Sequence, residues 1–170
     1  FIDSKTCEHV IRESKDRMKP ALVSTNKKGV VSRGRTGKNC WIDHKHDKIF
    51  LGIAKKISEL LDLPLENAES FQVISYEKDQ EYRQHTDSSE KSKRCMRYGG
   101  QRIATALCYL NDVEAGGHTR FTKLNIDVEP AVGKLLVFNN VFTGTNRKHP
   151  QSEHAGTPVI AGHKYAFNLW

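Results

Sequence analysis

The C-terminal part of the sequence restricts the fold more than any other feature. From residue 70 onward, short segments of extended character alternate with turn residues such as Gly99-Gly100, Gly116-Gly117 and Gly162. The predicted strands are 70–77, 81–87, 102–110, 118–129, 134–140, 149–155 and 163–170. Many short strands without an intervening helix indicate an antiparallel sandwich or barrel.

Two helices are predicted before these strands. Residues 3–18 keep an apolar stripe behind a capping Asp3 or Ser4, and residues 46–62 repeat apolar side chains at helical spacing before Leu63-Pro64. The apolar positions of the second helix are Ile49, Phe50, Ile53, Ile57, Leu60 and Leu61. We therefore predict one mainly β (α+β) domain over residues 1–170. Helical support from 1–65 packs on one sheet of a jelly-roll (double-stranded β-helix) core formed by 70–170.

Composition and charge narrow the class of protein. Of the 170 residues, 37% are hydrophobic and 28% charged, and no apolar run approaches the ~20 residues of a membrane span. The net charge of +7 suits nucleic acid, an acidic peptide or a small carboxylate, or reflects a solvated basic surface. Residues 25–39 are rich in Gly, Lys, Arg and Ser, which indicates a long loop or irregular hairpin. It is either a surface loop or the basic lip of a substrate groove.

The sequence leaves the cellular compartment open. No signal-peptide pattern occurs at Phe1, which favours the cytoplasm, but the chain opens without Met, so an upstream signal or anchor would allow the secretory pathway. The four cysteines form no C-x-x-C pair, which argues against a structural zinc site. We expect Cys7 and Cys108 to be buried thiols, and a Cys40–Cys95 disulfide stays open.

A His-x-Asp pair stands in the second predicted strand. His85 and Asp87 are two residues apart, so both project to the same face of a strand and can converge on one metal ion. His154 can supply a third ligand, and Lys164 follows it by ten residues. Two histidines and one carboxylate on one face of a metal are characteristic of non-haem Fe(II) oxygenases. An inward-facing lysine needs an anionic partner, because an unpaired buried charge is costly.

These motifs resemble the prolyl 4-hydroxylase family of Fe(II)- and 2-oxoglutarate-dependent dioxygenases over nearly the whole chain. Three segments carry the resemblance, at 72–87, 102–121 and 154–164. They contain His85-Thr86-Asp87, the turn Gly116-Gly117-His118-Thr119, and the pair of His154 and Lys164 in the same order as the family.

The resemblance implies an enzyme that hydroxylates peptidyl proline at C4, consumes O2 and releases succinate and CO2. His85, Asp87 and His154 would bind Fe(II), and Lys164 would bind the distal carboxylate of the co-substrate 2-oxoglutarate. Residues expected to assist 2-oxoglutarate binding are Tyr76, Tyr109 and Thr119, and those expected to line the peptide groove are Tyr82, Arg102 and Trp170. Ascorbate is the expected reductant, a proline-containing peptide or protein the expected partner, and a monomer the expected state.

Some features depart from the family or leave alternatives. Arg83-Gln84 replaces the Glu-Pro that many members carry before the first histidine ligand, which leaves the peptide preference open. The alternatives are the same oxygenase chemistry on a nucleic-acid base or another residue, or a non-catalytic metal-binding jelly-roll module. Against nucleic acid, the demethylases of this superfamily typically anchor 2-oxoglutarate with arginine rather than with a residue like Lys164. Residues 88–100 are either a lid or a surface loop. The three-residue spacing of Tyr82 and His85 requires a bulge for both to face the groove.

Overall fold

A computed structural model describes residues 1–23, 30–88 and 100–170. The helices are α1 (Ser4–Lys15) and α2 (Lys48–Leu61). The strands are β1 (Lys19–Pro20), β2 (Leu22–Val23), β3 (Val30–Val31), β4 (Lys38–Ile42), β5 (Phe71–Tyr76), β6 (Tyr82–His85), β7 (Ala104–Tyr109), β8 (Ala115–Gly116), β9 (Thr119–Phe121), β10 (Ile126–Val128), β11 (Leu135–Asn139), β12 (His154–Gly156), β13 (Val159–Ala161) and β14 (Lys164–Leu169). Apart from Ser88 and Gly100, the predicted lid lies outside the described residues, as does Cys95 of the open disulfide.

Both predicted helices are present and begin at aspartate caps. The Asp3 carboxylate accepts from the backbone N–H of Thr6 at 2.7 Å, and Asp47 accepts from the first N–H groups of α2. Each cap satisfies amide donors that have no partner within the helix. The apolar stripe of α2 is narrower than predicted, because Ile49 and Leu60 are exposed.

The predicted antiparallel sandwich is confirmed. The main sheet has six strands in the order β1-β4-β5-β14-β7-β11, and the second sheet has four in the order β10-β9-β12-β6. Two-stranded pairs β13-β8 and β2-β3 complete the topology of the described residues. The predicted strand 118–129 is instead the hairpin of β9 and β10, which turns at the left-handed residue Asn125 (φ 54°). The predicted strand 149–155 begins with a 3₁₀ turn at Pro150–Ser152.

The helices cover the outer face of the main sheet, as predicted. Phe50 of α2 packs edge-to-face on Phe71 with a centroid distance of 5.4 Å, and Phe71 packs on Phe167 at 5.0 Å. Cys7 and Cys108 are buried in this core, as the sequence predicts. None of the helices in the described ranges is long and apolar enough to cross a membrane.

The inner face of the main sheet points toward the second sheet. Strand β14 alternates between the two faces, so that Phe167 joins the helical core while Lys164 and Asn168 face the interior of the sandwich. Side chains of both sheets line one cavity there. The jelly roll therefore brings polar side chains from strands distant in sequence to a single interior site.

Candidate metal centre and co-substrate pocket

Three potential metal ligands meet where strands β6 and β12 pair. His85 ends β6 opposite His154, which begins β12, and Asp87 follows β6 by two residues. One ligand atom from each residue lies within 4.8 Å of the others. Nε2 of His85 is 3.6 Å from Oδ1 of Asp87, and Nε2 of His154 is 3.9 Å from Oδ2. The predicted ligand set is thus close enough to hold one ion.

Hydrogen bonds orient both imidazoles for this task. Nδ1 of His85 donates to the backbone carbonyl of Arg83 at 2.8 Å, and Nδ1 of His154 donates to that of Ser152 at 2.8 Å. A carbonyl oxygen only accepts, so the proton of each neutral ring is on Nδ1 and the Nε2 lone pair faces the centre. Such bonds are typical of histidines that bind metals, and two imidazoles with a carboxylate suit Fe(II). The residues present therefore fit the ion.

The carboxylate is held and ionised. Oδ2 of Asp87 accepts from the Thr105 hydroxyl at 2.7 Å and from Trp170 Nε1 at 3.0 Å. Burial alone would raise the pKa of Asp87, but His154, His85 and these two hydrogen bonds outweigh burial and lower it. Burial, together with nearby His154, lowers the pKa of His85 to about 4. At neutral pH, Asp87 is therefore charged and His85 is free of the proton that would compete with a metal.

A bulge in β6 places an aromatic ring against the first ligand. Between the pairs His85–His154 and Tyr82–Gly156, three steps along β6 match two along β12, which is the irregularity that the sequence requires. As a result, the Tyr82 ring stacks on His85 with centroids 3.5 Å apart. Phe138 packs edge-on against His154 at 4.9 Å. Both imidazoles are thus fixed by packing as well as by hydrogen bonds.

Lys164 lies inside the sandwich beside this centre. Its side chain is buried, and Nζ donates to the backbone carbonyl of Gly117 at 2.6 Å. No carboxylate of the described residues contributes to the pKa of this ammonium, which burial lowers to about 7. Gly117 has a left-handed φ of 69°, and a β-carbon there would be 3.4 Å from Lys164 Cδ. The turn therefore brings a backbone carbonyl to an ammonium that has room for an anion.

The other three residues predicted to assist 2-oxoglutarate binding lie close to Lys164, two of them in the cavity lining and the third in contact with one of these. Tyr76 and Thr119 line the same cavity as Lys164 and the three candidate ligands. Tyr109 is completely buried and stands behind Thr119, because its hydroxyl donates to Thr119 Oγ1 at 2.6 Å. Tyr109 thus orients the threonine hydroxyl, and its ring centroid lies 5.3 Å from Lys164 Nζ.

The three predicted groove residues also line this cavity. Arg102 donates to both oxygens of Glu69 at 2.6 and 2.8 Å, and its guanidinium lies 3.4 Å above the centroid of the Trp170 ring. Trp170 in turn donates to Asp87. Tyr82 completes the aromatic rim. The Arg102 guanidinium and the rings of Tyr82 and Trp170, called the aromatic rim below, therefore lie beside the candidate metal ligands.

Arg35 is a cavity residue that the sequence analysis did not single out. It is buried, lies 4.6 Å from the Tyr82 ring centroid and donates to Gln72 at 2.9 Å. Its Nε has no hydrogen-bond partner among the described residues. Arg35 belongs to the basic segment for which a surface loop and a groove lip were both open, and its position agrees with the lip. The only signal in the sequence was local positive charge, which does not distinguish a buried arginine from a solvated one.

The fold and the site define a class of protein. A jelly roll that carries two histidines, one carboxylate and a buried lysine around one cavity is the arrangement of a non-haem Fe(II) oxygenase. The chain belongs to the 2OG-Fe(II) oxygenase superfamily, whose family model matches residues 71–170. Membership implies Fe(II), 2-oxoglutarate and O2, in keeping with the His-Asp-His cluster.

Relatives place the chain near prolyl 4-hydroxylases. It is 35% identical to a putative prolyl 4-hydroxylase of Acanthamoeba polyphaga mimivirus, over 100% of this chain and 70% of the relative. It is 31% identical to probable prolyl 4-hydroxylase 7 of Arabidopsis thaliana, over 100% of this chain and 60% of the relative. The chain therefore spans only about three fifths to seven tenths of these proteins.

A solved structure agrees with these relatives. The 2-oxoglutarate complex of the viral collagen prolyl hydroxylase from Paramecium bursaria Chlorella virus-1 superposes with a TM-score of 0.80. The two chains are 25% identical, and the match covers 99% of this chain and 89% of the other. The prediction of a prolyl 4-hydroxylase-like, 2-oxoglutarate-dependent dioxygenase on a jelly-roll core is confirmed.

Proposed function

We propose that this chain hydroxylates peptidyl proline at C4, using O2 and 2-oxoglutarate and releasing succinate and CO2. One observation carries the proposal: the candidate ligands His85, Asp87 and His154 share a cavity with buried Lys164 and an aromatic rim. The names of the relatives support proline as the target. When bound, Fe(II) supplies the activation of O2 that oxidises both the co-substrate and the peptide.

The three residues would each hold Fe(II) through one donor atom. Nε2 of His85 and of His154 and a carboxylate oxygen of Asp87 are the donors. Oδ2 already accepts two hydrogen bonds, so Oδ1 is the freer oxygen. The protein contributes orientation here, because each ligand is held by a backbone carbonyl, a hydroxyl or a stacked ring.

Lys164 would bind the distal carboxylate of 2-oxoglutarate. Its ammonium carries three hydrogens and donates one to Gly117, which leaves two for an anion. The hydroxyl of Thr119, oriented by Tyr109, and that of Tyr76 are further donors in the same cavity. A carboxylate in this position would also relieve the cost of burying the lysine charge.

The aromatic rim would receive the substrate. The Tyr82 and Trp170 rings line the cavity with an arginine against each of them, and the guanidinium groups of Arg35 and Arg102 can donate to peptide carbonyls. The unpartnered Nε of Arg35 is one such donor. Binding here would place a proline beside the metal ligands, since Trp170 is hydrogen-bonded to Asp87. Ascorbate as the reductant and a monomeric state are part of the same proposal.

A panel of proline-rich peptides tests the function. Each peptide is incubated with the protein, Fe(II), 2-oxoglutarate and O2, and products are read by mass spectrometry. We expect one added oxygen on proline, lost in His154→Ala but retained in His46→Ala, a matched histidine whose contact is with Glu13 on the helical side. Metal-dependent succinate formation without any modified peptide would retain the oxygenase and reject proline as its target.

A further inference from the structure

Asn140 is a buried polar residue that makes no contact with the candidate ligands themselves. It directly follows β11 and has no exposed surface. Its Nδ2 donates to Thr105 Oγ1 at 2.7 Å, and Thr105 Oγ1 donates to Asp87 Oδ2 at 2.7 Å. Two consecutive side-chain hydrogen bonds thus connect Asn140 to the carboxylate ligand Asp87.

The direction of these two hydrogen bonds follows from chemistry. An ionised carboxylate only accepts hydrogen bonds, so the single hydrogen of the Thr105 hydroxyl must point to Asp87. The hydroxyl then receives a hydrogen from Asn140, which requires the amide nitrogen of Asn140 to face Thr105. The asparagine therefore prevents the hydroxyl from rotating toward another acceptor. Its own Oδ1 is buried without a partner among the described residues, so the contact with Thr105 determines how the amide is oriented.

The backbone of Asn140 reaches the supports of two ligands. Its carbonyl oxygen accepts from Ser88 Oγ at 3.2 Å and from the backbone N–H of His149 at 2.9 Å. The His149 carbonyl in turn accepts from the Ser152 hydroxyl at 2.7 Å. Ser88 is adjacent to Asp87, and the carbonyl of Ser152 receives the Nδ1 hydrogen of His154. Asn140, which follows β11 of the main sheet, is thus connected to Asp87, which follows β6, and to His154 at the start of β12.

We propose that Asn140 is a positioning residue for the metal centre, acting through Thr105 on Asp87. The inference rests on the proposed function, because it takes Asp87 as a ligand. With Oδ2 occupied by Thr105 and Trp170, Oδ1 is kept for the ion and the carboxylate cannot turn. Loss of such outer partners typically weakens metal binding by about 10- to 100-fold.

Side-chain substitution separates this role from the general stability of the fold. The hydrogen bonds of the Asn140 backbone survive a change of side chain, so Asn140→Leu removes the link to Thr105 alone. Asn111 is the matched control. Its amide donates to the carbonyl of His163 and accepts from the N–H of Tyr165, so Asn111→Leu weakens the sheet without touching a ligand support.

The test is a Co(II) titration followed by absorption, without 2-oxoglutarate and without turnover. Alongside it, thermal unfolding of the metal-free proteins reports stability. Asn140→Leu and Thr105→Val are each expected to weaken Co(II) binding by about 10- to 100-fold. The double variant should bind Co(II) no more weakly than the single variant of lower affinity, because both substitutions break the same series of hydrogen bonds. Asn111→Leu should lower the unfolding temperature with unchanged Co(II) affinity.

Two results would overturn the inference. One is Co(II) binding by Asn140→Leu as tight as in the unmodified protein, and the other is full additivity with Thr105→Val. If Asn140→Leu does not fold, Asn140→Ala carries the same test, since it removes the donor without adding bulk or charge. His154→Ala distinguishes a wrong ligand assignment from a wrong role of Asn140. If it binds Co(II) normally, the ligand assignment itself fails, whereas if only the Asn140 variants bind normally, the positioning role alone fails.

Discussion

The buried lysine makes the affinity for 2-oxoglutarate depend on pH. Lys164 must be charged to hold a carboxylate, but burial lowers its pKa to about 7 in the free protein. Above that pH, binding must first take up a proton. One pKa unit corresponds to about 1.4 kcal/mol, so the dissociation constant should rise by about tenfold per pH unit above 7. Below pH 7 the constant should level off, because the ammonium is already charged.

Calorimetry of the Mn(II) form under anaerobic conditions measures this without turnover. Titrations with 2-oxoglutarate between about pH 6.5 and 9, in buffers of different ionisation enthalpy, give both the affinity and the number of protons taken up. Lys164→Arg is the matched control, because a guanidinium stays charged throughout this range. The 2-oxoglutarate affinity of this variant should stay constant above pH 7, where that of the unmodified protein falls.

The same titrations can also exclude a proton-linked role of Lys164 in binding 2-oxoglutarate. A dissociation constant that stays constant from pH 7 to 9, with no proton uptake, would mean that Lys164 is charged in the free protein or does not meet the carboxylate. An equal pH dependence in Lys164→Arg would assign the effect to another group, such as one bound to the metal.

Three further predictions follow from particular contacts. Lys164→Met should stabilise the ligand-free protein below pH 7 by on the order of a few kcal/mol, because there the folded protein must bury a charged lysine. Above pH 7 the folded lysine loses its proton while the unfolded chain keeps it, so urea unfolding between pH 7 and 9 should show stability rising with pH more steeply in the unmodified protein than in the variant. Arg102→Lys should raise the KM for peptide about tenfold or more without changing 2-oxoglutarate affinity, since lysine cannot bind Glu69 through two parallel bonds; steady-state kinetics measure both. Gly37→Ala should cost roughly 1–3 kcal/mol, because its β-carbon would lie 2.5 Å from the Tyr76 ring; urea unfolding measures the loss.

Matched variants make these predictions specific. Arg120→Lys breaks a comparable two-bond pair, with Asp127, on the surface of the second sheet, and should leave the peptide KM unchanged. Gly34→Ala should be close to neutral, because its nearest contact would be 3.4 Å away. Equal effects in test and control variants would reject the explanations for Arg102 and Gly37. If the free energy of unfolding of Lys164→Met depends on pH as steeply as that of the unmodified protein, the explanation for Lys164 is rejected.

The parts of the site predicted from sequence are those that local periodicity determines. The two-residue period of a strand places His85 and Asp87 together and sends Lys164 inward while Phe167 packs on the helices. The odd spacing of Tyr82 and His85 also indicates the bulge, because a groove residue and a metal ligand three residues apart cannot share a strand face without it. The fold class follows from the many short segments after residue 70.

The parts that were missed depend on long-range packing. Thr105 supports Asp87 only because β7 lies beside the loop that follows β6, and no local pattern shows this neighbour. Arg35 enters the cavity from a segment whose composition resembles a surface loop. Strand β4 begins within the last residues of the same Gly- and Lys-rich segment, so its pairing with β5 becomes visible only in the sheet. The hydrogen bond from Tyr109 to Thr119 joins two strands and is likewise not visible in a local pattern.

Incubation with isotopically labelled O2 tests the central claim most directly. A proline peptide that is modified in the panel is treated with the protein, Fe(II), 2-oxoglutarate and ¹⁸O₂, and both products are analysed by mass spectrometry. The account predicts one labelled oxygen on C4 of proline and one in succinate in equal amounts, both absent in His154→Ala. Labelled succinate with an unlabelled or unmodified peptide would contradict it.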